Sequence, residues 1–168
     1  MKSWAIITAI GACLILLAFT IQPKSDSTKY VQSTIDFIKQ HSLLFAASAE
    51  NLQTAVSKIN KEDSSSLSHA KEALKNCRAQ YKSIEFFLTY FFRSNSLVYN
   101  EPPNYEVEEP FYEYKSPTGF QVIEAILFSK NPFAQKKDLV QQAALINSSA
   151  SDIYAFLYNL KINDKQIL

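Results

Sequence analysis

The sequence predicts an all-α protein, an up-and-down helical bundle of about four main helices, and three observations carry that prediction. Gly11 and Gly119 are the only glycines among 168 residues, so the positive-φ positions that tight hairpins need are scarce. Apolar residues recur at spacings of three and four over stretches far longer than a strand. The segment that lacks this period, residues 99–118, carries four of the six prolines, which remove backbone donors and fix φ. It reads as a crossover loop.

The chain opens with different material. Met1-Lys2-Ser3 precedes an uncharged, mostly apolar run of 18 residues from Trp4 to Ile21, so residues 1–22 read as a signal peptide or an N-terminal membrane anchor. The run is long for a signal and at the short end for a spanning helix. Ala18-Phe19-Thr20 supplies a small-residue cleavage pattern, whereas Ile10-Gly11-Ala12-Cys13 has the look of a lipoprotein signal. The uncharged "LILLAFTI" after Cys13 argues against the latter. Each version exports the body of the protein to the periplasm or cell envelope.

Residues 23–168 form one helical-bundle domain, long enough for a single sizeable core. Net charge is +1, from 17 basic and 16 acidic residues, which leaves no electrostatic footprint for nucleic acid. With Cys13 in the leader, Cys77 is alone and reads as a small buried hydrophobe. There is no Cys-x-x-Cys-His, hence no covalently attached haem.

The first helix is expected to start near Asp26 to Thr28, whose side chains cap free N–H groups, and to run to about Asn60. Its stripe is Tyr30, Ile35, Ile38, Leu44 or Phe45, Leu52, Val56 and Ile59. "KEDSSS" at 61–66 supplies a polar turn. In the second helix Leu67, Ala70, Leu74, Cys77, Tyr81, Ile84, Leu88 and Phe91 step by alternate threes and fours, which sets one face against antiparallel neighbours. Phe86, Phe87, Tyr90 and Phe92 widen the apolar surface there and predict burial on more than one side.

In the crossover loop, five glutamates face one lysine, and Tyr105, Phe111, Tyr112 and Tyr114 are its expected anchors. Ser116 and Pro117 suit the N-cap and first turn of a short third helix that ends near Ser129, before Asn131-Pro132. A fourth runs from about Lys137 to Leu160 on Leu139, Ala143, Ile146, Ala150, Ile153, Leu157 and Leu160. Asn163 or Asp164 then offers to cap one more.

The chemistry concentrates in "GFQVIEAILF", Gly119 to Phe128. Three residues apart, Gln121 and Glu124 share a helical face. With Glu85 across the bundle they would make an oxygen-rich cluster suited to a hard divalent cation, since buried carboxylates repel unless a cation or proton lies between them. The plain alternative pairs Glu85 with Arg78 or Lys82 on its own helix or with a loop tyrosine, and has Gln121 and Glu124 hydrogen-bonding across the bundle or to the loop. His41 and His69 read as surface histidines, and no histidine and acid pattern makes Ser64 to Ser66 nucleophiles.

"CRAQYKSIEFFLTYF" on one helix, with a later "GFQVIEAILF", resembles the imelysin-like family, whose hallmark is Gly-x-His-x-x-Glu in a helical bundle. "YKSIEFFLTYF", "NEPPNYEVEE" and "PTGFQVIEAILFS" also resemble the helical region upstream of the haem domains in bacterial di-haem cytochrome c peroxidase-like proteins. The resemblance covers about residues 70–168; longer relatives continue with another helical pair and haem domains, so either Leu168 is a frayed tail or the chain is one half of a longer architecture. It marks Gly119 and Glu124 as motif positions and, with the second-helix stretch, draws in Arg78 and Tyr81. Gln121 stands in the place of the histidine. The altered motif argues against metal binding and peptidase activity, and the missing Cys-x-x-Cys-His against peroxidase chemistry. What the resemblance implies is an exported accessory module associated with cytochrome c peroxidase or iron handling, its partner a haem peroxidase, a cytochrome or a second copy. The rival is a protein that binds iron or another divalent cation, or a vestigial metallopeptidase, through Glu85, Gln121 and Glu124.

Overall fold

The computed structural model describes residues 27–108, 111–158 and 160. The leader, 1–22, and the expected helix start at Asn163 or Asp164 lie outside them. The chain divides into two compact units, Thr34–Lys161 and Met1–Ser33 with Ile162–Leu168. The bundle described below belongs to the first.

Five α-helices occur among the described residues: α1 Ser27–Ser57, α2 Ser64–Phe91, α3 Arg93–Asn100, α4 Phe120–Leu127 and α5 Lys136–Tyr158. A 3-10 turn, Pro132–Gln135, leads into α5. The all-α class therefore stands. Three legs of the bundle are the long helices, and the remaining leg is made in two pieces, α3 and then α4.

Antiparallel contacts establish the plan. His41 of α1 meets Ser83 of α2, and Phe45 meets Tyr81. Arg78 of α2 meets Glu124 of α4, while Lys71, two turns earlier on α2, lies over Phe128 beyond the end of α4. Asn147 of α5 donates to Gln53 of α1 at 2.6 Å. Each leg reverses the one before it.

The period of three and four dictates the core. Ile38, Phe45, Leu52, Val56 and Ile59 on the first leg are buried, as are Ala70, Leu74, Cys77, Tyr81, Ile84 and Leu88 on the second. Leu139, Ala143, Ile146, Ala150, Ile153 and Leu157 complete the seam. Phe45, Tyr81, Tyr99 and Phe120 bring one ring from each of α1 to α4 into a single cluster. Tyr81 lies 5.1 to 5.5 Å from the other three ring centroids, and Phe45 lies 5.2 Å from Tyr99 and 6.4 Å from Phe120. Such tilted and edge-on pairs add about 0.5–1.5 kcal/mol each beyond area burial.

Several sequence expectations are corrected. Tyr30 and Leu44 are exposed, so Phe45 takes the core position. Phe86 and Tyr90 point to solvent although Phe87 and Leu88 beside them are buried, so the α2 end is covered on one side only. His41 is half-buried, not superficial, because it stacks on Phe37 and bonds Ser83 at 3.1 Å.

The crossover loop is more ordered than its prolines suggest. It follows α3, whose last two residues it shares, and contains an antiparallel hairpin of β1 Asn104–Glu108 and β2 Phe111–Lys115. Tyr105 pairs with Tyr114, and Val107 with Tyr112. Neither strand contains a proline, which leaves every strand residue an N–H to donate. Tyr114, one of the expected anchors, is exposed; the side chains of residues 104–113 lie outside the described part.

The base of the hairpin is closed by Glu101. Its carboxylate takes Lys115 at 3.1 Å, and its carbonyl accepts from the Thr118 N–H at 3.1 Å. Residues 116–118 are thereby used in returning the chain, and α4 starts later than Ser116 and Pro117 predict. Gly119 is its cap, at φ 80°.

Candidate functional site

Gly119 explains how the broken leg is joined. A side chain there would meet the Tyr99 carbonyl, and its Cβ would lie 2.6 Å from the Val98 carbonyl oxygen. Only a glycine permits both the positive φ and this approach of one helix start to the end of another. The Gly119 N–H donates to Gln142 of α5 at 2.8 Å, which fixes α4 against its neighbour. The motif glycine is a packing device.

Beyond it, Gln121 and Glu124 part company. Gln121 donates its amide to the Glu101 carbonyl and lines a shallow cleft with Pro103 and Pro117 at the hairpin base. Glu124 turns the other way, toward α2, where Arg78 holds it in an ion pair. Glu85 is held by Lys82 on its own helix at 2.6 Å. Since Arg78 and Glu85 are seven residues apart, about 10 Å along the axis, the carboxylates of Glu85 and Glu124 are kept by different cations on different turns. The structure thus brings Arg78 and Glu124 together and gives Glu85 and Gln121 separate partners. Among the described residues, no group of three His, Cys, Asp or Glu side chains is placed to hold a metal ion.

Tyr81 and Cys77 belong to the core. Burial, with the Glu85 charge adding to it, pushes the Tyr81 phenol well above its ordinary range. Tyr99 is raised to about 12 by burial, against a hydrogen bond to Ser149 that works in the opposite direction. The Cys77 thiol is driven up to about 11 by desolvation, which keeps it protonated and unreactive near neutrality.

What remains open is the surface between α2 and α4. Lys71, Lys75 and Arg78 recur at four and three residues along α2, flanking the buried Leu74. With Glu124 and Phe128 they line a cleft of about 560 Å³. Its floor is apolar and its rim is charged. The Phe128 ring is 62% exposed, and Lys71 sits over it at 4.4 Å from the centroid. Glu72 balances Lys75 at 3.9 Å and Glu124 balances Arg78, so Lys71 is the cation left facing the ring. Ser68 lies in this cleft but His69 lines another, across α2, so the two do not form a nucleophile and base.

The sequence marked Gly119, Arg78 and Glu124 but missed Lys71 and Phe128. The signal was available: three basic residues flank the apolar stripe on one side of the second helix, and Phe128 follows the last buried residue of α4.

No family model, curated protein or solved structure matches the chain. The imelysin-like resemblance accordingly rests on its motif residues.

Proposed function

We propose that this chain is an exported, non-catalytic helical interaction module of the cell envelope, imelysin-like in plan and associated with cytochrome c peroxidase or iron-handling systems. The observation that carries the module part is the α2–α4 cleft, where an exposed aromatic floor is rimmed by an unbalanced lysine while the motif carboxylate is neutralised by Arg78. A surface of this kind suits a partner that presents an apolar side chain beside a carboxylate: the ring takes the apolar group and Lys71 the charge. The peroxidase or iron association draws its support from Gly119, Gln121 and Glu124 standing at the spacing of the family motif.

The test has two arms. Untagged protein purified without chelators should carry no stoichiometric metal, and Glu124→Gln should not change its metal content. A full equivalent of metal that disappears in Glu124→Gln would replace the module with the metal-binding reading. In the second arm, the purified c-type cytochrome peroxidase of the same cell is titrated in and followed by NMR. Shifts should gather at Lys71 and Phe128, with binding weakened roughly tenfold by Phe128→Ser, the scale of one interface contact. An unchanged spectrum at saturating peroxidase would dissolve the association.

A further inference from the structure

The cations of the α2–α4 cleft are ordered along one wall. Lys71, Lys75 and Arg78 follow one another at steps of four and three residues on α2, which sets Lys75 about 6 Å and Arg78 about 10 Å from Lys71 along the axis. Leu74 is the one buried residue of the lining, and the exposed Phe128 ring stands on the opposite wall. The other lining residues are exposed or half-buried, so the cleft is an open trough. A small-molecule site encloses roughly 70–90% of its ligand's surface, and an open trough does not. Its natural occupant is a segment of a macromolecule.

The three cations are lightly committed. Glu72 reaches Lys75 at 3.9 Å with both side chains largely exposed, a pair of the kind that contributes little in water. Glu124 engages Nη1 of Arg78, one corner of a planar fork that carries five donors. Lys71 lies over the Phe128 ring. The wall therefore attracts carboxylates, and its spacing selects the backbone that brings them. Residues on one face of a helix recur at three and four positions and match all three cations in register. Same-side residues of an extended strand recur at about 7 and 13 Å, which overshoots Arg78 by about 3 Å.

A second copy of the chain does not supply such a helix. α1 carries Asp36 and Glu50, α2 Glu72 and Glu85, α4 Glu124 alone, and α5 Asp138 and Asp152, so no described helix presents two acids within two turns of each other. The complementary charge has to come from a different protein.

We propose that the cleft seats an amphipathic helix of another protein, one that presents acidic residues at steps of three and four toward α2 and an apolar side chain toward Phe128. The inference rests on the module reading above and names the segment that the module takes. Carboxylates pair with Lys71, Lys75 and Arg78 while the apolar group covers the Phe128 ring and the Leu74 floor, a helix laid in a groove.

The test uses the isotope-labelled full chain and an acetylated, amidated alanine-based peptide with three glutamates at steps of four and three and a leucine next to the middle one. Amide shifts at Lys71, Arg78 and Phe128 should titrate in the roughly millimolar range, the strength of a few exposed ion pairs and one apolar contact. The same peptide with its glutamates at steps of two and three, which spreads them around the helix, should bind about fivefold more weakly, and Lys71→Gln should weaken the original peptide about threefold. Lys71→Glu should abolish the shifts, and exchanging one of the two outer glutamates for lysine should restore them. Equal binding by the respaced peptide, equal binding by a version with a central proline, which breaks the helix, or restoration by neither exchange would overturn the proposal. So would cleft shifts that grow with protein concentration in the absence of peptide, which would give the cleft to a second copy. If the peptide leaves the cleft unmoved while the peroxidase still shifts Lys71 and Phe128, this inference falls and the module stands; silence from both removes the module.

Discussion

The two ends of the bundle are built from opposite materials. At the α1–α2 turn, every polar group named here has a partner. Ser66 accepts from the Asn60 N–H at 2.9 Å and donates to the Asp63 carbonyl at 2.6 Å. Asp63 caps α2 through the Ser65 N–H at 2.9 Å, and Lys136 at the start of α5 donates to the Ile59 carbonyl at 2.8 Å. At the far end, where Phe87 contacts Phe86, Phe91 and Phe92, rings replace hydrogen bonds, and part of the apolar surface is left uncovered. Apart from Lys136, which arrives from α5, the turn is closed by local hydrogen bonds. The aromatic end is closed only on its inner side: Phe87 serves the fold, and Phe86 beside it does not.

Substitutions can break or sharpen this contrast. The largest effect is expected from Phe87→Ala, which empties a 2%-exposed site within the ring network and should cost about 3–5 kcal/mol in urea unfolding. A cost under about 1 kcal/mol would mean that the network is loose. Next is Gly119→Ala on the leg that joins the two ends. Positive φ alone costs about 1–3 kcal/mol, and the clash with Tyr99 and Val98 adds to it, so the variant should unfold earlier and expose Tyr99 to alkaline titration nearer its ordinary value of 10.0.

Ser66→Ala at the turn should cost about 1–3 kcal/mol, because it strands the Asn60 N–H in a site that is largely closed to water. Asp63 tests the same end by pH. Its carboxyl is held below the ordinary 3.8, first by the Ser65 hydroxyl and then by the Ser65 N–H. A depressed folded value means that the contribution is complete above 3.8 and is lost as pH falls through the lower folded value. Asp63→Asn should flatten that part of the acid limb in a pH series of melting temperatures. The smallest change in stability belongs to Phe86→Ser with Tyr90→Ser, within about 0.5 kcal/mol since neither ring is buried. A clear destabilisation would place both rings in the core and erase the contrast.

The long helices were legible because each repeats its apolar positions at three and four residues for many turns, a signal that no single substitution disturbs. The hairpin was not. Tyr105-Glu106-Val107-Glu108 and Tyr112-Glu113-Tyr114 do alternate apolar and acidic residues, the period of a strand, but four surrounding prolines and the lack of glycine outweighed seven residues of pattern. Helix α3 was missed for a similar reason, since its eight residues carry too few apolar positions for a period. In the site, Gly119, Arg78 and Glu124 were visible as types at a spacing. Their roles were not, because i and i+3 residues on a helix can take partners on opposite sides, as Gln121 and Glu124 do.

By itself the sequence determined the all-α class, the positions of the three long legs and most of the buried stripe, since these follow from periodicity within one segment. Tertiary structure alone decided that Gly119 seats one short helix on the end of another, that Arg78 takes Glu124, and that Phe86 faces out while Phe87 faces in. Those outcomes depend on which neighbour arrives at each surface. Local spacing cannot encode an approach made by residues twenty or more positions away.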